Sequence, residues 1–275
     1  MSRVNAYLYA EPTARTLRLD ELIGYVKALL PGLAIEPRDS FITFNLGRLS
    51  EAERGEALGR LAEGFARARV RDPLRELQDF EPLPGEISYE RKRLADPLSR
   101  AKGILYDGHR LLELLRGLLP PEERSLAHLH IVFTNQLFGT WREDGRYHAA
   151  VSLYSFPCLL STTGVVEAPA KPREYYLLRQ QYASLVMGAP LVGSQLELIK
   201  GRYIDYDDER LTEVMKGYVM QSIFYHFTLE PFCPDPHCRL YNAHWQEEVI
   251  HAQLDGDYEF CPHHQRLLEK IGREI

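Results

Sequence analysis

The sequence predicts an α/β domain, a mixed sheet flanked by helices and closed at its carboxyl end by a helical subdomain. Two observations carry that expectation. Short alternating apolar stretches such as "VNAYLYA" and "AHLHIVFTN" are interleaved with longer stretches of three- and four-residue periodicity. Beyond Arg173 the pattern turns almost wholly helical. The 275 residues fit one domain, with an α/β part over 1–206 and a helical part over 207–275.

Taken in order, "VNAYLYA" alternates as a strand, and "RTLRLDELIGYVKALLPG" reads as an amphipathic helix closing at Pro31 and Gly32. "AIEPRDSFITFNL" offers a short strand, and Ser50 caps a helix over "SEAERGEALGRLAEGFARARV". The proline-bearing stretch "RDPLRELQDFEPLPGEISYERK" reads as an excursion from the core, and the basic "ERKRLADPLSRAK" as a solvated helix face. "LSRAKGILYDGHRLLELLRGLLPP" reads as a helix. "AHLHIVFTN" and "YHAAVSLYSF" are strands joined through a turn at Asp144 and Gly145. In "YIDYDDER" the acidic residues Asp207 or Asp208 are expected to cap the next helix.

Composition narrows the function classes. The net charge of -6 supplies no basic field for nucleic acid or an anionic membrane, and there is no basic, aromatic-interleaved patch. No apolar run is long enough to span a bilayer, and the amino terminus lacks the apolar stretch of a signal peptide, so a cytoplasmic location is expected. In that setting four cysteines make metal ligands rather than a disulfide framework.

"HFTLEPFCPDPHCRLYNAHWQEEVIHAQLDGDYEFCPHH" holds three of the four cysteines. Cys233-x4-Cys238 and Cys261-x2-His264 are two close pairs separated by a longer loop, the spacing of a tetrahedral zinc site. Four protein ligands make a closed, structural site holding one zinc. His237 and His263 adjoin ligands and point elsewhere, and "CPHH" opens the last helix, whose amide donors favour the Cys261 thiolate. Upstream, Leu211, Val214, Met215, Tyr218 and Val219 form a stripe continuing to Ser222 and His226, which predicts a central buried helix.

These residues resemble the archaemetzincins, a branch of the metzincin zinc peptidases. That family carries HExxHxxGxxHC, then x4-C, a linker and CxxC; the first part binds a catalytic zinc and the cysteines a structural one. With Cys233 aligned to the cysteine ending the catalytic motif, Cys238 falls in place and His264 replaces the last cysteine. "HIVFTNQLFGTWREDGRYHAAVSLYSF" is similar to the family's strand, hairpin and following strand, which flank the substrate cleft, and residues around 48–85 and 173–206 are additions. The resemblance is closest to a group classed as metallopeptidases on such similarity alone.

Carried across position by position, the resemblance places the first zinc histidine on Ser222 and the general-base glutamate on Ile223. The second histidine falls on His226, the turn glycine on Leu229 and the third histidine on Phe232. One ligand of three remains, and isoleucine accepts no proton. The resemblance therefore implies an inactive homologue whose strand around Ala149 to Tyr154 holds an extended peptide or protein segment by strand addition. The alternative is a zinc-dependent hydrolase with replacement ligands around His226, drawn from His128, His130 or His148. A pairing of Glu247 with His251 is a further acid-base possibility, with Trp245 expected to anchor that helix against the zinc knot. Cys158 reads as a small buried hydrophobe.

Overall fold

The computed structural model describes residues 4–101, 103–184 and 199–275, with the backbone alone over 181–184. The chain opens with β1 (Asn5–Tyr9), α1 (Leu19–Leu29) and β2 (Ala34–Arg38). β1 and β2 are parallel, Asn5 opposite Ala34, so α1 must cross one face of the sheet to return the chain. Next come α2 (Phe41–Gly47), α3 (Glu51–Arg67), α4 (Pro84–Ala95), β3 (Leu105–Asp107) and α5 (Gly108–Leu118). Ser50 and Glu53 close a capping box at the start of α3, as the sequence predicts.

β4 (His128–Thr134) then enters the sheet, followed by the hairpin β5 (Leu137–Arg142) and β6 (Arg146–Ala150). β7 (Ser152–Leu153), β8 (Cys158–Ser161), α6 (Thr162–Glu167) and α7 (Arg173–Ser184) follow. The carboxyl part holds α8 (Leu211–Thr228), α9 (Gln246–Ile250) and α10 (Pro262–Glu274), with a π turn at His251–Asp255 after α9.

The main sheet has the order β2-β1-β4-β8-β7. Its first four strands are mutually parallel, and β7 alone runs antiparallel, at the edge. A second sheet, β3-β5-β6, is also mixed. The fold is thus the mixed α+β arrangement expected. β4 separates two cores: Leu129, Ile131 and Phe133 face α1 and α8, whereas Val132 joins α2, α3 and α5 on the other face.

Several local expectations are corrected. "SFITFNL" is the helix α2 and not part of a strand, because Phe41, Asn45 and Leu46 share a helical face turned to the core. "ILYD" is the strand β3, with Asp107 capping α5 by accepting from the Arg110 N–H at 2.9 Å. The stretch 84–95 contributes to the core rather than looping away. Glu90 is fully buried and takes Arg69 Nε at 2.7 Å, Arg93 Nε at 2.8 Å and the Tyr106 hydroxyl at 2.8 Å. Arg93 is accordingly buried, not solvated. "YHAAVSLYSF" is broken at Val151, so that β6 and β7 lie in different sheets. Asp208 accepts from the Arg210 N–H at 2.9 Å just before α8, while Asp207 adopts a left-handed φ of 56°.

Candidate metal centre and groove

α8 runs beneath the main sheet, apolar on nearly every side, with Val214, Met215, Val219, Met220, Ile223 and Phe224 all buried. It ends at Leu229, which takes a left-handed conformation (φ 63°, ψ 7°) and donates its N–H to the Tyr225 carbonyl at 2.8 Å. The chain then turns back through Phe232 into Cys233. Pro234 and Pro236 shape the loop to Cys238, and Cys261 is the N-cap of α10, with His264 in its first turn.

These elements bring Cys233, Cys238, Cys261 and His264 together, all buried, with their four ligand atoms within 4.8 Å of one another. Cys233 Sγ lies 3.8 Å from Cys261 Sγ. His264 Nδ1 lies 3.2 Å from Cys261 Sγ and 4.0 Å from Cys238 Sγ. Tetrahedral zinc, with Zn–S of about 2.3 Å and Zn–N of about 2.1 Å, requires S···S of about 3.8 Å and S···N of about 3.6 Å. The four groups therefore fit a tetrahedral ion. The Asp235 N–H points at Cys233 Sγ (3.4 Å) and the Cys261 N–H at Cys238 Sγ (3.5 Å), donors suited to thiolates. Burial first, and the neighbouring thiols after it, push the Cys233 thiol up to about 12 and raise Cys238. Burial lowers His264 below the usual imidazole value. A bound dication reverses that balance for the thiols and releases their protons. Cys261 caps α10 without a side-chain hydrogen bond, so its sulfur is turned to the knot and not to the helix amides.

Above α8 lies a groove of about 920 Å³. One wall is β6 and the start of β7, from His148 to Ser152; the other is Phe232 with Tyr241 to His244, and Tyr218 and Gln221 of α8 reach into it. Gln221 is buried, takes the Tyr154 hydroxyl on its Oε1 and donates from Nε2 to the Tyr241 carbonyl at 3.2 Å. Tyr154 in turn lies against Phe232 and Tyr225, with ring centroids 5.5 and 6.0 Å away.

A family model described as a probable metallopeptidase family, DUF6775, matches residues 2–271. This chain belongs to the DUF6775 family. No curated protein and no solved structure matches it.

In this DUF6775 member the positions tied to catalysis by sequence are not gathered around a cation. Ser222 is fully buried and donates to the Tyr218 carbonyl at 2.9 Å, also meeting the Cys158 thiol, so it does not serve His226 as its place one turn away suggests. His226 is half-buried near the end of α8, hydrogen-bonded to the Leu126 main chain, and burial lowers its pKa. His128 and His130 face away from α8, toward Tyr7 and Tyr9: their Nδ1 atoms lie 3.2 and 3.0 Å from those hydroxyls. His148 stands exposed on β6 beside Asp144, 2.8 Å away. Among the described residues, the Cys/His knot is the one group of three or more His, Cys, Asp or Glu side chains placed to share an ion.

The other candidates disperse. Glu247 pairs with Arg202 at 2.8 Å, whereas the His251 ring lies against His237, so the two form no acid-base couple. Trp245 is half exposed; Gln246, fully buried, anchors α9 instead through Nε2 to the Val165 carbonyl (2.6 Å) and Oε1 from the Ile204 N–H (3.0 Å). Cys158 is buried with its thiol raised to about 12 by desolvation, donating to the Ser155 carbonyl at 3.1 Å. Sequence reasoning placed Tyr154 on the cleft strand but missed Gln221. A glutamine inside an otherwise apolar buried helix was the available signal, because such a group needs built partners.

Among the described residues no helix is long and apolar enough to cross a membrane.

Proposed function

We propose that this chain is an archaemetzincin-like member of the metallopeptidase family that keeps one structural zinc on Cys233, Cys238, Cys261 and His264. In this reading it lacks the catalytic centre and holds an extended peptide in the groove without cutting it. The observation that carries the reading is the turn at Leu229. The archaemetzincin motif has glycine there, and this backbone adopts the left-handed conformation that glycine suits, with a leucine in it. In this reading the path of the motif is kept while its chemistry is not: Ile223 is fully buried and cannot take a proton from water, and an aromatic ring stands at Phe232.

The groove wall supports the peptide part. The Tyr147 N–H donates to the Pro73 carbonyl at 2.8 Å, away from β5. By the alternation of an antiparallel pair, Ala149, which lines the groove, also turns its N–H and C=O away from β5. An extended segment can add to that edge.

Metal counting combined with a peptidase assay tests the proposal. Purified chain is expected to hold one zinc, to show no cleavage that chelator abolishes and zinc restores, and to keep that single zinc in His226→Ala. Two zinc ions per chain, one of them lost in His226→Ala, would instead establish a hydrolase with replacement ligands.

A further inference from the structure

The stretch between the end of α8 at Thr228 and the start of α9 at Gln246 contains no helix and, in place of a strand ladder, two isolated bridges, Cys233 to Tyr241 and Trp245 to Ala170. Irregular stretches of this length inside a compact domain need something other than a ladder to set their shape. Here the stretch supplies both two knot ligands and one whole wall of the groove. Phe232 lines the groove, and the next residue, Cys233, lies in the knot. The Cys233 N–H donates to the Leu240 carbonyl at 2.8 Å, and the Tyr241 N–H to the Cys238 carbonyl at 2.8 Å. Tyr241 to His244 thus hang directly from two ligand-bearing residues.

At Arg239 the stretch is also tied to Glu213 by its guanidinium (2.9 Å), to the Glu259 carbonyl by its N–H (2.8 Å) and to Gln253 by its own carbonyl (2.8 Å), and the His244 N–H donates to Glu248 at 2.7 Å. Gln221 holds the Tyr241 carbonyl, and the Ala170 N–H donates to the His244 carbonyl at 3.0 Å. The main sheet is built differently, from strands paired along their lengths over a core of its own.

We infer that the ion in the knot holds the Phe232–His244 wall in place, so that the groove has its binding shape only while the knot is loaded; this rests on the metal reading of the four ligands. Metal availability then regulates binding without any contact between ion and ligand. The coupling runs through two carbonyl hydrogen bonds and one shared peptide unit, and it leaves the sheet standing.

Hydrogen exchange on the full wild-type chain tests this, before and after zinc is stripped with a chelator and then restored. The zinc count is expected to fall from one to zero, amides of residues 231–245 to exchange at least tenfold faster, and those of β1, β2 and β4 to stay protected. Restored zinc should return the original pattern. Tryptophan emission gives a second readout, because Trp141 lines the groove opposite and Trp245 follows His244, and these are the chain's two tryptophans. Zinc loss with unchanged exchange over 231–245 would overturn the inference and leave the metal site standing. Loss of protection in the sheet as well would also overturn it, making the ion a staple for the whole fold. A chain that never holds zinc removes the metal reading itself, and this inference with it.

Discussion

Leu229 carries a backbone conformation that an L-residue adopts only at a cost of about 1–2 kcal/mol, and its side chain is 73% exposed, so little packing offsets that cost. Leu229→Gly is expected to stabilise the chain by about 1 kcal/mol, read as a higher urea midpoint at unchanged slope. A lower midpoint would mean that leucine makes contacts outweighing the strain. His130 gives a pH prediction. It is fully buried, its Nε2 lies 3.2 Å from the Glu123 carbonyl, and desolvation draws its pKa from 6.5 to about 4. The unfolded chain therefore binds this proton at higher pH than the folded one. The stability contributed by neutral His130 is complete above pH 6.5 and is lost as pH falls toward 4, up to roughly 3 kcal/mol. Unfolding free energies measured at pH 7 and 4.5 should differ less in His130→Gln than in the wild type; equal differences would dismiss the assignment.

At the scale of elements, α4 is tied to the core by one carboxylate. Glu90 faces two guanidinium groups, with the Arg93 and Arg69 side chains only 3% and 16% exposed. Glu90→Gln leaves both cations in the interior without their counter-charge, an expected loss of roughly 3–5 kcal/mol by chemical denaturation. A loss under 1 kcal/mol would show that water reaches the pair. The knot is the second such element. Alanine at Cys233, Cys238 or Cys261 is expected to release zinc and loosen the chain beyond Thr228, seen as metal loss with a lowered melting temperature. Full zinc and unchanged melting in all three variants would sink the site. Its ligands were legible in sequence because short spacings at a turn and at a helix start fix geometry locally. α2 and β3 were not: "SFITFNL" is rich in β-formers, and only the core it packs against decides for a helix. The groove was half legible. Its β6 wall announces itself by alternation, but Gln221 and Tyr241 meet only through the tertiary fold.

For the whole molecule, the alternation of β-like and helical patterns was enough to foresee a mixed sheet with helices on it. The order of its strands was not foreseeable, because a strand's neighbours are set by crossovers and not by its own residues. That order has a bearing on how the chain is made. β1 precedes the other described strands in the chain, yet it lies inside the sheet, between β2 and β4. β2 can cover one edge soon after it emerges, while the partner for the other edge, beginning at His128 opposite Asn5, is made about 120 residues later. At roughly 5–20 residues per second, that edge stays open for on the order of 5–20 s on the ribosome. The face that carries Ala6 and Leu8 has only α1 to cover it over the same interval, since α8, which completes that core, is made later still. Until β4 arrives, that edge of β1 presents a row of unpaired N–H and C=O groups, a template for pairing with the wrong strand.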